Sequence, residues 1–79
     1  MEEKKIKAII EAILFAAGRQ VTIKELVLSL EIEQKEIENL INEMQEEYKA
    51  EERGIEIVKI DDSYQLCTKK ELYENVYPI

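Results

Sequence analysis

Residues 33–52 constrain the fold most, because they carry a single apolar stripe at helical spacing. The members of the stripe recur every three or four residues: Ile37, Leu40, Ile41, Met44 and Tyr48. The other positions are polar, with eight glutamates against two lysines, which leaves six net negative charges. The pattern therefore predicts a long helix that buries one face in a core and exposes an acidic surface.

The first helix is predicted over residues 2–18, and it is apolar around most of its circumference. Lys7 and Glu11 mark a narrow polar window, and Gly18 is a suitable C-terminal stop. A helix that packs on one face of a small domain needs a narrower apolar stripe. Two explanations stay open: other elements clasp this helix on two sides, or its edge near Ile10 and Leu14 is an intermolecular contact.

A short strand and a second helix follow. Val21 is expected to pair with a later strand, and Thr22 with Glu25 has the spacing of a capping box. The second helix should run to about residue 30. Its core candidates are Leu26, Val27 and Leu30.

A β-hairpin is predicted after the third helix, which Gly54 should end in the left-handed conformation. Residues 55–60 and 64–67 are strand-like, and residues 61–63 have the composition of a turn. Both faces of the first strand are apolar, so we expect the hairpin to be covered on more than one side. Residues 68–71 form a second capping-box pattern, which is expected to open a last short helix through residue 76.

This order of elements predicts an α+β fold that is mainly α. Its architecture is a winged helix: a three-helix core, a two-stranded β-hairpin wing and a short C-terminal helix. At this length, residues 1–79 make one small domain.

The charge distribution favours protein contact over DNA contact. A DNA-binding winged helix places its third helix in the major groove, where these glutamates would face phosphates of the same sign. The formal net charge of −7 points the same way. The alternative, a DNA-binding transcription regulator, rests on element order alone. Lys59, Lys69 and Lys70 would allow only weak, salt-sensitive DNA contact, so direct DNA binding is expected to be weak or absent.

The residue inventory excludes several chemistries. The chain has no histidine, a single cysteine (Cys67) and two glycines. A Cys–His dyad, a Ser–His–Asp triad, the common zinc sites and a glycine-rich phosphate loop are therefore ruled out. We predict no enzyme activity, no catalytic residue, no cofactor and no metal. The apolar run at residues 8–17 is too short for the roughly 20 residues that span a bilayer, so we expect a cytoplasmic protein without membrane contact.

Three segments together resemble one family. They are IIEAILFAAGRQVTIKEL at residues 9–26, IENLINEMQEEY at residues 37–48 and RGIEIVKIDDSYQLCTK at residues 53–69. This pattern resembles the N-terminal winged-helix domain of the segregation and condensation protein B (ScpB) family. The RGIEIV segment, followed after a short gap by YQLxTK, is its most specific part.

The resemblance implies a function that the composition alone does not indicate. Members of this family are non-enzymatic structural subunits of the prokaryotic SMC–kleisin, condensin-like complex in chromosome condensation and segregation. The resemblance implies a homodimer, binding to the kleisin ScpA and, through it, to SMC at the nucleoid. It also implies that residues 1–79 are the N-terminal fragment of a longer protein with two winged-helix domains.

The contact residues for a dimer or partner are predicted on the first helix and the hairpin. On the first helix we expect Ile10, Leu14 and Phe15, at the edge of the wide apolar surface. On the hairpin we expect Ile57 and Tyr64 nearby.

Overall fold

The helices and strands follow one another in the predicted order. The structure, a computed structural model, describes residues 1–50 and 52–77. Its elements are α1 (Glu3–Ala17), β1 (Val21–Thr22), α2 (Ile23–Leu30), α3 (Gln34–Ala50), β2 (Ile55–Ile60), β3 (Ser63–Thr68) and α4 (Tyr73–Val76), with a 3₁₀ turn at Lys70–Leu72. The predicted third helix is confirmed as α3, and Glu51, placed in that helix by the sequence, lies outside the described residues.

The sheet joins the start of α2 to the wing. Its three strands are antiparallel in the order β1-β3-β2. Val21 pairs with Tyr64, which confirms the predicted short strand. The Ile23 N–H donates to the Asp62 carbonyl at 2.8 Å. The tip of the hairpin is thereby tied to the beginning of α2.

The core forms around the apolar stripe of α3. All five of its members are buried: Ile37, Leu40, Ile41, Met44 and Tyr48. They join one cluster with residues from α1, α2 and both long strands: Ile6, Ile10, Leu14, Leu26, Leu30, Ile57 and Tyr64. Burial of apolar area stabilises this arrangement by about 25 cal/mol per Å².

Lys7 links α1 to α3 at the edge of the core. Its ammonium lies 2.9 Å from the Glu43 carboxylate and 2.8 Å from the Glu47 carboxylate. The hydrogen bonds to Glu47 and then Glu43 raise the pKa of Lys7. Because Glu43 and Glu47 are four residues apart on α3, one cation bridges two successive turns.

Tyr48 makes a second polar link between the same helices. Its hydroxyl donates to the Glu11 carboxylate on α1, and the Arg53 guanidinium lies 4.9 Å from the centre of its ring. Burial, and then the Glu11 hydrogen bond, raise the pKa of Tyr48 to about 12. The phenol therefore stays a neutral donor far into alkaline conditions.

The predicted ends of the first two helices are confirmed. Gly18 ends α1 in the left-handed conformation at φ 59°, and its N–H donates to the Leu14 carbonyl. At the start of α2, the Glu25 N–H donates to the Thr22 hydroxyl at 3.1 Å, and the Thr22 N–H donates to the Glu25 carboxylate at 2.9 Å. Both halves of the capping box are present.

Two predictions about the hairpin boundaries are wrong. Gly54 does not adopt a positive φ; its carbonyl accepts from the Lys69 N–H at 2.9 Å and continues the strand pairing instead. The capping box at residues 68–71 does not form, because Thr68 is part of β3 and pairs with Ile55. Lys69 occupies the cap position of the 3₁₀ turn without a side-chain hydrogen bond.

The second face of the wing is only partly covered, which corrects a further expectation. Ile57 is buried, Ile55 and Val58 are half-buried, and Ile60 is 40% exposed. The reason is that α3 packs against one face of the hairpin and buries Ile57.

The predicted last helix is confirmed as the short α4.

Thr22→Ala is expected to lower the free energy of unfolding by about 1 kcal/mol, because the N-cap hydroxyl of α2 is lost. Urea denaturation measures this change. Ser29→Ala, at an exposed position of the same helix outside the cap, is the matched control and should behave like the wild type.

Glu25→Gln should change how stability depends on acid. The hydrogen bond from Arg19, and then the one from the Thr22 N–H, lower the pKa of Glu25 from 4.5 to about 2. The carboxylate therefore stabilises the fold above about pH 4.5, and this contribution is lost as the pH falls towards 2. Urea midpoints measured across that range should fall less steeply in Glu25→Gln than in the wild type. Equal slopes would contradict the assignment.

Candidate functional site

The structure separates the five predicted contact residues. Ile10, Leu14, Ile57 and Tyr64 are buried within the single chain, with Leu14 at 1% exposure, whereas Phe15 is 80% exposed. The expectation that Ile10 and Leu14 lie at an exposed edge of α1 is therefore wrong. Ile10 and Leu14 lie on the side of α1 that packs into the core, so neither side chain is accessible to a partner in the folded chain.

Phe15 belongs to an exposed apolar face on the other side of α1. We call Ala8, Ala12, Phe15 and Ala16 the α1 outer face; all four are exposed. Their spacing of four, three and one residues places them on one side of the helix. Small alanine side chains let a second helix approach closely, and Phe15 projects as a single large side chain. This face is suited to helix–helix packing.

A second exposed apolar feature lies between α1 and α2. Ile13, Ala17 and Leu28 line a groove of about 440 Å³. A second groove of about 280 Å³ lies on the other side of Leu28, beside Val27 and Gln34. Leu28 is 79% exposed, so it forms a ridge between two depressions.

Sequence reasoning did not single out Leu28, although the signal was present. The buried positions of α2 are Ile23, Leu26 and Leu30, which share one helical face. Leu28 falls off that face, so helical periodicity alone would have placed it outside the core.

An ion pair borders the groove between α1 and α2. The Arg19 guanidinium lies 2.9 Å from the Glu25 carboxylate, whose pKa it lowers to about 2, while the same hydrogen bond raises the pKa of Arg19. Lys24 lines the second groove and has no ion pair among the described residues. The larger groove is therefore lined by the Arg19–Glu25 ion pair, and the smaller groove by Lys24, which has no ion pair among the described residues.

The outward surface of α3 is acidic, as the sequence predicted. Its exposed positions include Glu36, Glu43, Glu46 and Glu47. Lys7 neutralises two of them from one side, and Lys49 lies 3.5 Å from Glu46. This is the surface that a DNA-reading third helix would turn towards phosphates.

The described part of the chain shows no group of three or more His, Cys, Asp or Glu side chains arranged to hold a metal ion. Within residues 1–50 and 52–77, no helix is both long and apolar enough to cross a bilayer. Cys67 is a free, half-buried thiol.

The order of α1, β1, α2 and α3, followed by the β2–β3 hairpin, defines a winged-helix domain. Residues 8–79 match the family described as the segregation and condensation complex subunit ScpB. This chain belongs to that family.

Two named relatives show the same likeness. The segregation and condensation protein B of Lachnoclostridium phytofermentans is 40% identical over the whole chain, and that of Clostridioides difficile is 42% identical. The chain spans 42% and 45% of the lengths of these two relatives.

A solved structure, a dimer of the ScpB N-terminal domain complexed with ScpA peptide, is similar to this chain at 38% identity. The alignment covers 92% of this chain and 91% of the solved one, with a TM-score of 0.86. The two chains therefore share the winged-helix fold.

Leu14→Asp is expected to unfold the domain, because it places an unpaired carboxylate in the core. The cost of roughly 3 to 5 kcal/mol is comparable with the whole stability of a small domain. Phe15→Asp changes the neighbouring but exposed residue and should stay within about 1 kcal/mol of the wild type. Circular dichroism and urea denaturation measure both. A folded Leu14→Asp variant would contradict the placement of this residue in the core.

Proposed function

We propose that this chain is a non-enzymatic structural subunit of a prokaryotic SMC–kleisin complex, acting in chromosome condensation and segregation. Family membership supports this role, together with the similar structure of a ScpB N-terminal dimer bound to ScpA peptide. In this proposal the chain works in the cytoplasm and reaches the nucleoid through its complex. It acts by holding other proteins together.

Homodimerisation is the proposed task of the α1 outer face. The exposure of Phe15 among alanines is the observation that carries this proposal. A two-fold dimer needs a self-complementary patch, and an antiparallel pair of α1 helices centred on Ala12 would place Phe15 against Ile9 of the second copy. Ile9 is half-buried and apolar, so it could receive the ring. We assign Ile10, Leu14, Ile57 and Tyr64 to support this helix from within the core.

Binding of the kleisin ScpA is the second proposed task. The similar domain of known structure is complexed with an ScpA peptide. The surfaces left over after α1 self-association include the grooves beside Leu28, which are large enough for apolar side chains. SMC would join through the kleisin.

Phe15→Glu is expected to convert the dimer to a monomer. Light scattering behind a sizing column should give a mass near twice 9.3 kDa for the wild type and near 9.3 kDa for the variant. If the variant dimerised, two glutamate carboxylates would be buried without partners at the two-fold contact, which costs more free energy than the contact can supply. Leu28→Glu introduces the same change at an equally exposed residue and should remain dimeric. A wild-type mass near 9.3 kDa at all concentrations would contradict dimerisation by this domain.

Duplex DNA is expected to bind weakly or not at all. The acidic surface of α3 would face the phosphate backbone, and the net charge of −7 adds a general repulsion. Fluorescence titration with a short duplex at low salt should show no saturable binding at micromolar protein. Micromolar binding that weakens steeply as salt is added would instead favour a transcription regulator.

A further inference from the structure

The strand β2 lies at the edge of the sheet. In the order β1-β3-β2, it pairs with β3 on one side, and no strand of the described residues pairs with its other side. We propose that Gln45 on α3 makes an autoinhibitory contact, which keeps this open edge from pairing with β2 of a second copy of the chain. The inference is independent of the proposed function, because it concerns the hairpin and not the α1 outer face.

The sequence of β2 is suited to self-association. It reads IEIVKI, with four β-branched residues, one glutamate and one lysine, so its net charge is zero. Six-residue segments with a strong β preference, low net charge and no proline stack into intermolecular sheets when an edge exposes them. Val58 is half-buried and Ile60 is exposed, so the strand also offers a second copy apolar side chains.

The register of the hairpin shows which backbone groups of β2 point to the open side. The Lys69 N–H donates to the Gly54 carbonyl, so these two residues are a hydrogen-bonded pair. In an antiparallel ladder such pairs alternate with pairs whose N–H and C=O groups point away from the neighbouring strand. The backbone groups of Ile55, Ile57 and Lys59 therefore point to the open side. Ile57 is the middle one, so a two-fold pairing of β2 edges that uses all three residues is centred on it.

Gln45 occupies the hydrogen-bond acceptor at that centre. Its side-chain amide donates to the Ile57 carbonyl at 3.1 Å. Gln45 is half-buried, and together with Lys49 it lines a groove of about 260 Å³ beside Ile57 and Val58. An added strand would have to displace the Gln45 side chain before it could reach the Ile57 carbonyl. The contact therefore closes the edge both by hydrogen bonding and by occupying space.

The molar mass of Gln45→Met tests this inference, by light scattering behind a sizing column over a range of concentrations. Methionine has a side chain of similar length but no N–H donor, so it leaves the Ile57 carbonyl available to an added strand. The variant should reach about twice the mass of the wild type or more at the same concentration, because each edge contact joins two units. Gln34→Met is the matched control, since it makes the same change at an exposed position at the start of α3, and it should keep the wild-type mass.

Lys59→Pro, added to Gln45→Met, distinguishes edge pairing from other association. Lys59 is exposed and its N–H points to the open side, so proline removes a donor that the hairpin does not use. The same ring obstructs an incoming strand. The double variant should therefore return to the wild-type mass. Circular dichroism and urea midpoints verify that each variant is folded.

Three results would overturn the inference. If folded Gln45→Met keeps the wild-type mass throughout, the contact with Ile57 does not restrain association. If the mass rises and Lys59→Pro does not restore it, the chains meet through another surface. If Gln45→Met does not fold, Gln45→Ala repeats the measurement with a good helix former. Should neither variant fold, Gln45 supports the fold and not the edge, and the inference fails. None of these results bears on dimerisation through the α1 outer face, which Phe15→Glu tests separately.

Discussion

Burial of the α3 stripe is the constraint on which the rest of the structure depends. Five residues on one side of this helix meet α1, α2 and the hairpin, so each of these elements is positioned by the same apolar surface. The stripe also determines what is left outside. Once one side of α3 is buried, helical geometry places its glutamates in water. Core formation and the acidic exterior are therefore two results of one periodic pattern.

The small size of the domain gives meaning to the apolar residues that stay exposed. A chain of 79 residues has a small core, so its stability depends on burying most of its large apolar side chains. Phe15 and Leu28 nevertheless lie on the surface of well-formed helices. Phe15 lies on α1 and Leu28 on α2, so the two exposed side chains belong to separate elements.

Charge turns a fold that is often used to read DNA towards protein contact. The third helix carries carboxylates where a DNA reader needs cations, and two of them are drawn into ion pairs with Lys7. The two grooves beside Leu28 are the contrasting region: Arg19 and Glu25 pair at the larger groove, and Lys24 lines the smaller one without an ion pair among the described residues. Charge therefore distinguishes the acidic surface of α3 from the grooves beside Leu28.

The sequence by itself determined the elements and their ends, because these depend on local chemistry. Helical period located α3 and its buried stripe, the Thr22–Glu25 box began α2, and Gly18 ended α1. Tertiary structure decided which part of the wide apolar surface of α1 is covered. Residue type shows that Leu14 and Phe15 are both apolar, but only the packing of the other elements against α1 makes one of them core and leaves the other exposed. Gly54 and Thr68 were mispredicted because pairing between the two strands of the hairpin overrode their local preferences.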